Sequence, residues 1–234
     1  LISGDKADLF IPLFSFFDMP TIEEKYLLQV PDLTIDLIMA TLSISEDVEL
    51  AFENKSGFQI ISHLLLETKI FKPTYSTYNR LFMLLPTLTN EKLKISLMKY
   101  ILVNFSLLAK YDRVNQERII KHWSRVLVYE NQNLLAKVWT VKKLLCAIEQ
   151  FIERKVQQNE NLFDIQANLF KLLTMVASIQ LTKDDLDALI CFALKCSDDQ
   201  SIHILHLFDE IVRSESKAVE VIKENVGKLY QLHK

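Results

Sequence analysis

His203 and His206 stand three residues apart with Asp209 and Glu210 close behind, the one spacing in this 234-residue chain that resembles a metal-ligand set. On a helix both imidazoles would lie near one face, and a closed site would need further ligands from a second helix. Ile202, Leu205, Leu207 and Phe208 surround the pair, which favours at least one histidine as a part-buried packing residue with a hydrogen-bond partner. Two acidic clusters, Asp184, Asp185 and Asp187, then Asp198 and Asp199, have the composition of a cation site. They fall at predicted helix N-termini, where carboxylates stabilise the macrodipole, and capping is the better explanation. Cys191 and Cys196 lack C-x-x-C spacing and have only Lys195 as a basic neighbour, so they read as core. No Gly-rich phosphate loop, G-x-S-x-G elbow or H-E-x-x-H motif occurs. The sequence therefore predicts no enzyme, with no catalytic residues, metal or cofactor.

Charge placement says more than the formal net charge of −3. From Asn90 to Lys155, 13 Lys and Arg stand against 6 Asp and Glu; the rest of the chain carries 14 against 24. A basic middle thus lies between acidic flanks. Arg118, Lys121 and Arg125, at i, i+3 and i+7, share one face of a helix. Arg113 precedes them, and Lys137, Lys142 and Lys143 follow on the next helix. These seven residues are the candidate face for an acidic partner protein or anionic lipid headgroups, set against an ordinary solvated surface. Nucleic acid fits poorly, because the pI is near 6 and no base-stacking or groove-reading motif is present.

The elements that would position these residues are all helical. Apolar residues recur at i, i+3 and i+4, and period-2 alternation is absent. A helix around Ile22 to Val30 precedes one capped by Asp32 that carries Leu33, Leu37, Ile38 and Leu42, with Pro31 between them. The next starts near Gly57 with Phe58, Ile61, Leu64 and Leu65, and halts before Pro73. Tyr75 to Leu85 follows and stops at Pro86. Thr89 and Asn90 start a helix with Leu93, Leu97, Tyr100 and Ile101 as its stripe. A short segment to Tyr111 leads to a helix bearing Val114, Ile119, Trp123, Val126 and Leu127. Asn131 to Asn133 is the predicted turn, after which Leu134 to Ile152 reads as the longest single helix, broken by polar Gln157 to Asn161. Four more cover roughly Leu162 to Ile179, Asp184 to Cys196, Gln200 to Val212 and Lys217 to Leu232. Thr182 and Asp185 form a capping-box variant, and Ser197 or Asp198 the next cap.

Alternate helix starts, near 32, 75, 115, 161 and 199, are spaced by about 43, 40, 46 and 38 residues, the span of armadillo and HEAT repeats. The predicted fold is all-α, an α-solenoid of armadillo/HEAT-like helix pairs, with an irregular helical bundle as the alternative. Half the residues are hydrophobic and 24% charged, only three are glycine, and no linker or low-complexity tract interrupts them. A single domain over 1–234 is expected. The start at Leu1 without a signal-like run suggests a piece of a larger multidomain protein. No uncharged run approaches the roughly 18 to 20 apolar residues of a membrane helix. Cys146, Cys191 and Cys196, an odd number in apolar helical segments, read as buried reduced thiols suited to a reducing cytoplasm.

One stretch carries a resemblance. Tyr100-Ile101-Leu102-Val103-Asn104-Phe105, then Ile120 and His122, Glu130-Asn131, and Val141 with Leu144-Leu145, is similar to the helical region of BEACH-domain proteins of the neurobeachin and beige type. Gly57 to Leu65 resembles the glycine-led helix start ahead of it, and together these cover somewhat under half of the chain. Leu108 stands where that family usually has tryptophan, and Thr140 where a glycine commonly precedes the valine, as in a divergent member such as a fungal beige homologue. The resemblance implies an armadillo-like region after a concanavalin-A-like domain and before pleckstrin-homology, BEACH and WD40 modules. It also implies a cytoplasmic scaffold in vesicle trafficking and protein sorting, peripheral on endosomal or other internal membranes. No catalytic residue is carried over. Asn104, His122 and Asn131 read as structural: asparagines satisfying loose backbone groups at helix ends, and His122 beside Trp123 ordering an inter-helix contact.

Three functions stay open. The first is a non-catalytic scaffold that binds proteins of the trafficking machinery, or neighbouring domains of its own chain, through a helical-repeat groove. The second is a membrane-proximal module whose basic centre meets anionic lipid. The third is an unrelated HEAT/armadillo-type adaptor.

Overall fold

In the computed structural model the described residues are 12, 29–67, 73–127, 130–157, 163–213, 218–225 and 227. They contain helices and turns and no strand. The chain forms two compact units, Leu1–Ile119 and Ile120–Lys234.

The first unit holds α1 (Gln29–Leu42), α2 (Glu46–Asn54), α3 (Gly57–Glu67), α4 (Tyr75–Leu84), α5 (Glu91–Leu97), α6 (Phe105–Leu108) and the start of α7 (Arg113–His122). A π-helical turn, Met98–Leu102, extends α5. Packing runs α1 on α4, α2 on α5 and α3 on α6, so the repeating group here has three helices. Helix α2 is absent from the sequence-based expectation, although Ser45 at its cap position, three acidic residues in its first turn and the Val48/Phe52 pair all announce it. At its C-terminal end Ser56 takes a left-handed conformation, with φ 56°. Gly57 follows because the ring of Phe52, in edge contact with Phe58, occupies the space that a Cβ would need.

Three further expectations for this unit are corrected. Helix α1 begins at Gln29, so Pro31 lies in its first turn, where a missing N–H costs nothing, and Asp32 is not a cap. Its buried stripe is Thr34, Ile35, Ile38 and Leu42; Leu33 and Leu37 are exposed. Val114 on α7 is exposed as well, while Ile119 is buried.

The second unit contains the end of α7 with its π-helical turn Trp123–Leu127, α8 (Gln132–Val138), α9 (Val141–Gln157), α10 (Phe163–Ile179), α11 (Lys183–Ala193), α12 (Asp198–Arg213) and α13 (Ala218–Glu224). Here helix pairs stack: α9 packs on α11 and α10 on α12. Their facing surfaces bury Leu144, Ile148, Leu169, Leu173, Leu189, Ile204 and Leu207 completely or nearly so. The predicted long helix Leu134 to Ile152 is two helices. Trp139 adopts extended backbone, φ −115° and ψ 127°, and Thr140 starts the next helix by accepting a hydrogen bond from Lys143 N. Gln180 donates its side-chain amide to the Trp139 carbonyl, satisfying one of the acceptors that the break exposes. The predicted turn at Asn131 to Asn133 is shorter, with Asn131 at the cap position of α8 but making no side-chain cap bond. Residues 158–162, 214–217 and 228–234, and most of the helix expected before Val30, lie outside the described residues.

Polar bridges of one recurring span fasten neighbouring repeats within each unit. Thr77 Oγ1 donates to Asp32 at 2.9 Å, and Arg80 pairs with Asp36. The Glu49 carboxylate accepts from Thr89 N at 2.9 Å and Asn90 N at 2.7 Å. Asn104 Nδ2 donates to Ser62 Oγ at 3.2 Å, Tyr75 N to Asn115 Oδ1 at 3.0 Å, and Lys142 N to Asp185 Oδ1 at 2.8 Å. The partners are separated by 40 to 45 residues in every case. That span is the period of the solenoid, written in hydrogen bonds.

Candidate partner-binding surfaces

Helices α9 and α11 leave between them a groove of about 230 Å³. Its floor is apolar, from Leu145 and Phe192 with Ala188; Lys142, Cys146 and Glu149 rise from α9, Cys191 from α11 and Lys195 from the turn after it. A second depression of about 240 Å³ continues past Glu149, Phe192 and Lys195 to Glu153, Ser197 and Gln200. The sequence signal was available, because each wall is an i, i+3, i+4, i+7 set: 142, 145, 146 and 149 on α9, and 188, 191, 192 and 195 on α11 and the turn after it. It was missed because Lys142 was read as part of a basic face and Leu145, Cys146 and Cys191 as core, so the two sets were not taken together.

Asp185 fixes these two helices at their N-termini. Its side chain is buried, 3% exposed. One carboxylate oxygen accepts from Thr182 N at 3.1 Å and Thr182 Oγ1 at 2.7 Å, which completes the expected capping box. The other accepts from Lys142 N and so caps α9 as well.

The seven candidate basic residues fall in both units. Arg113 and Arg118 belong to the first; Lys121, Arg125, Lys137, Lys142 and Lys143 belong to the second. All seven are exposed. Arg113 Nε pairs with Glu117 at 3.1 Å, and the Arg118 guanidinium lies over the Tyr75 ring, 5.0 Å from its centroid. Both are thus engaged within the fold, while Lys142 and Lys143 flank the start of α9.

His203 stacks on Phe170, with centroids 5.1 Å apart and planes 11° from parallel, as a packing histidine should. His206 is exposed, and Asp209 pairs with Arg213 at 2.9 Å. Among the described residues no three His, Cys, Asp or Glu side chains converge on a point that would suit a metal ion. The expectation of buried cysteines is corrected: Cys146 and Cys191 are exposed and Cys196 is half-buried. Cys146 and Cys191 sit on the outward edge of an apolar stripe, each one position from a buried residue, Leu145 and Ile190.

The three structural residues differ in role. Asn104 caps α6, accepting from Ser106 N at 2.9 Å and Leu107 N at 3.3 Å while donating to Tyr100 O at 2.9 Å. Trp123 is buried, and its π-helical turn packs on α10. Burial holds the His122 imidazole below its ordinary value of 6.5, opposed by the charge of Glu130. Among the described residues no helix is long and apolar enough to cross a membrane.

Stacked helix groups joined by bridges at a constant span define an α-solenoid. The chain belongs to the neurobeachin/BDCP family: the model of its alpha solenoid region, DUF4704, matches residues 7–228. No curated protein and no solved structure matches the chain.

Proposed function

We propose that this region is a non-catalytic scaffold of a BEACH-type protein, acting in vesicle trafficking and protein sorting by holding a segment of a partner protein against its helical repeats. The observation that supports it is the groove between α9 and α11: an apolar floor for anchor side chains, with charged walls for orientation. Cytoplasmic placement, peripheral to internal membranes, goes with that role. The test is affinity purification with the wild-type chain and with Ala188→Arg, which fills the groove from its half-exposed floor and leaves the core untouched. Trafficking proteins should be retained by the first and lost from the second at unchanged helical content. Retention of the same set by both would remove the groove from the reading, and a set without trafficking proteins would defeat the reading itself.

A second reading, attachment to anionic lipid, is favoured by the exposed Lys121, Arg125, Lys142 and Lys143 of the second unit. Each cation held at the surface contributes about 1 kcal/mol. Lys121→Glu/Arg125→Glu/Lys143→Glu should therefore weaken liposome binding by roughly 100-fold or more. Flotation that is equal for wild type and variant, or absent for both, would defeat it.

A further inference from the structure

We propose that the outer face of α1 is a docking surface for a cationic amphipathic helix of a partner protein. Helix α1 buries Thr34, Ile35, Ile38 and Leu42. On its other side Leu33 and Leu37 are 63% and 49% exposed, and Ala40 is exposed with them. Ile44, in the turn that ends the helix, is 70% exposed, and its N–H still reaches Thr41 O at 3.2 Å. The four residues are spaced i, i+4, i+7 and i+11, the seam spacing along which one helix packs on another. Single exposed leucines are ordinary at a protein surface. An apolar run over three turns, on a helix already apolar on its inner side, is the pattern of a helix covered on both sides.

Charge decides what covers it. From residue 29 to residue 54, the span of α1 and α2, the sequence has six carboxylates, Asp32, Asp36, Glu46, Asp47, Glu49 and Glu53, and no Lys or Arg. Glu49 is buried and holds Thr89 and Asn90, and Arg80 of α4 offsets Asp32 and Asp36. The Asp36 side chain nevertheless stays 40% exposed, three residues from Leu33 and four from Ala40 and so beside both on the helix surface. Glu46 and Asp47, both exposed, follow directly on Ile44. Negative charge therefore edges the stripe along one side and at its C-terminal end. A second copy docked face to face would set these carboxylates against their own kind, and an anionic bilayer would be repelled. A helix with apolar residues at the matching spacing and Lys or Arg beside them gains burial and attraction together. This surface lies within the first unit, whereas the groove between α9 and α11 is formed within the second, so the two are independent.

The experiment titrates the 234-residue chain into a labelled helical peptide of about 15 residues, built of leucines at i, i+3, i+4 and i+7 with lysines elsewhere, and reads fluorescence anisotropy. A second peptide carries glutamate in place of lysine and should bind at least about 10-fold more weakly. Leu33→Gln/Leu37→Gln, at positions already exposed, should keep the helical content and weaken the lysine peptide by roughly 10-fold or more. Ile44→Gln, outside the helix, should act in the same direction and serves if the double variant loses helicity. Glu46→Gln/Asp47→Asn should weaken binding by about 3-fold or more and reduce its salt dependence. Carbodiimide, which couples lysine to a nearby carboxylate, should join the peptide to Glu46 or Asp47. Coupling at Glu149 or Glu153 instead, equal binding by wild type and the leucine variant, or equal affinity for the two peptides would each overturn the proposal. So would a wild-type dimer, or flotation with anionic vesicles, that the leucine variant abolishes, because a second copy or lipid would then be the occupant. Capture of trafficking proteins through the groove is read with a different variant, so failure here leaves the scaffold reading intact.

Discussion

Asp185→Ala should be the most damaging single polar substitution in the second unit. Its carboxylate is buried and accepts three hydrogen bonds, two from Thr182 and one from Lys142 N on the neighbouring repeat. Loss of a capping side chain costs about 1 kcal/mol, and loss of a charged acceptor serving a second helix about 1.5 to 3 kcal/mol. Together they come to roughly 3 kcal/mol, less where water reaches the freed N–H groups. For a chain of this length that lowers the unfolding midpoint by roughly 6 to 12 °C, read by far-ultraviolet circular dichroism. Asp185→Asn keeps an acceptor for Lys142 N but turns an amide toward two donors, and should fall between the two. Thr182→Ala removes the capping box alone and should cost about 1 kcal/mol. The double variant should lose less than the sum, because both deletions remove the same bonds. A loss below about 1 kcal/mol for Asp185→Ala, or strict additivity with Thr182→Ala, would refute the claim that this residue fastens α9 to α11.

Gly57→Ala should destabilise by about 1 to 3 kcal/mol, because its Cβ would meet the ring of Phe52 in a packed core; an unchanged denaturant midpoint would contradict that contact. Ser56→Gly, one residue earlier, should stabilise by about 1 kcal/mol by relieving a left-handed backbone, and a destabilised variant would deny the strain. Asn104→Ala removes both the α6 cap and the bridge to Ser62, so a loss of about 1 to 2 kcal/mol is expected, with Ser62→Ala costing less. The lowered pKa of His122 gives a pH dependence of definite sign. The unfolded chain takes up the proton at higher pH than the folded one, so the contribution is whole above about pH 6.5 and lost as pH falls through the lowered folded value. His122→Gln should flatten that part of the midpoint-against-pH curve, and an unchanged slope would assign it to other groups.

Helix existence and type were legible because burial imposes a 3.6-residue period: of the expected stripe Leu93, Leu97, Tyr100 and Ile101, all but the half-buried Tyr100 are buried. Helix starts were legible where a short polar side chain caps its own helix, as at Asn90 and Thr182, while the short helix that Asn104 caps was not expected. What stayed hidden was any polar residue serving a different helix. Asp32 has the composition of a local cap and instead binds Thr77, 45 residues away. Glu49 lies in a helix that was not expected at all, yet holds Thr89 and Asn90. The break at Trp139 and Thr140 is invisible to an apolar period that Leu135, Val138 and Val141 continue without interruption. It is held by Gln180 and Asp185, which lie more than forty residues on. The candidate surface is harder still to read for the same reason. A groove is a property of two helices one repeat apart, and periodicity within either one marks only which residues leave the core. A search for residue pairs at the 40-to-45 span, polar bridges first and the side chains beside them second, would have found both the bridge at Asp185 and the groove walls a few residues along from it.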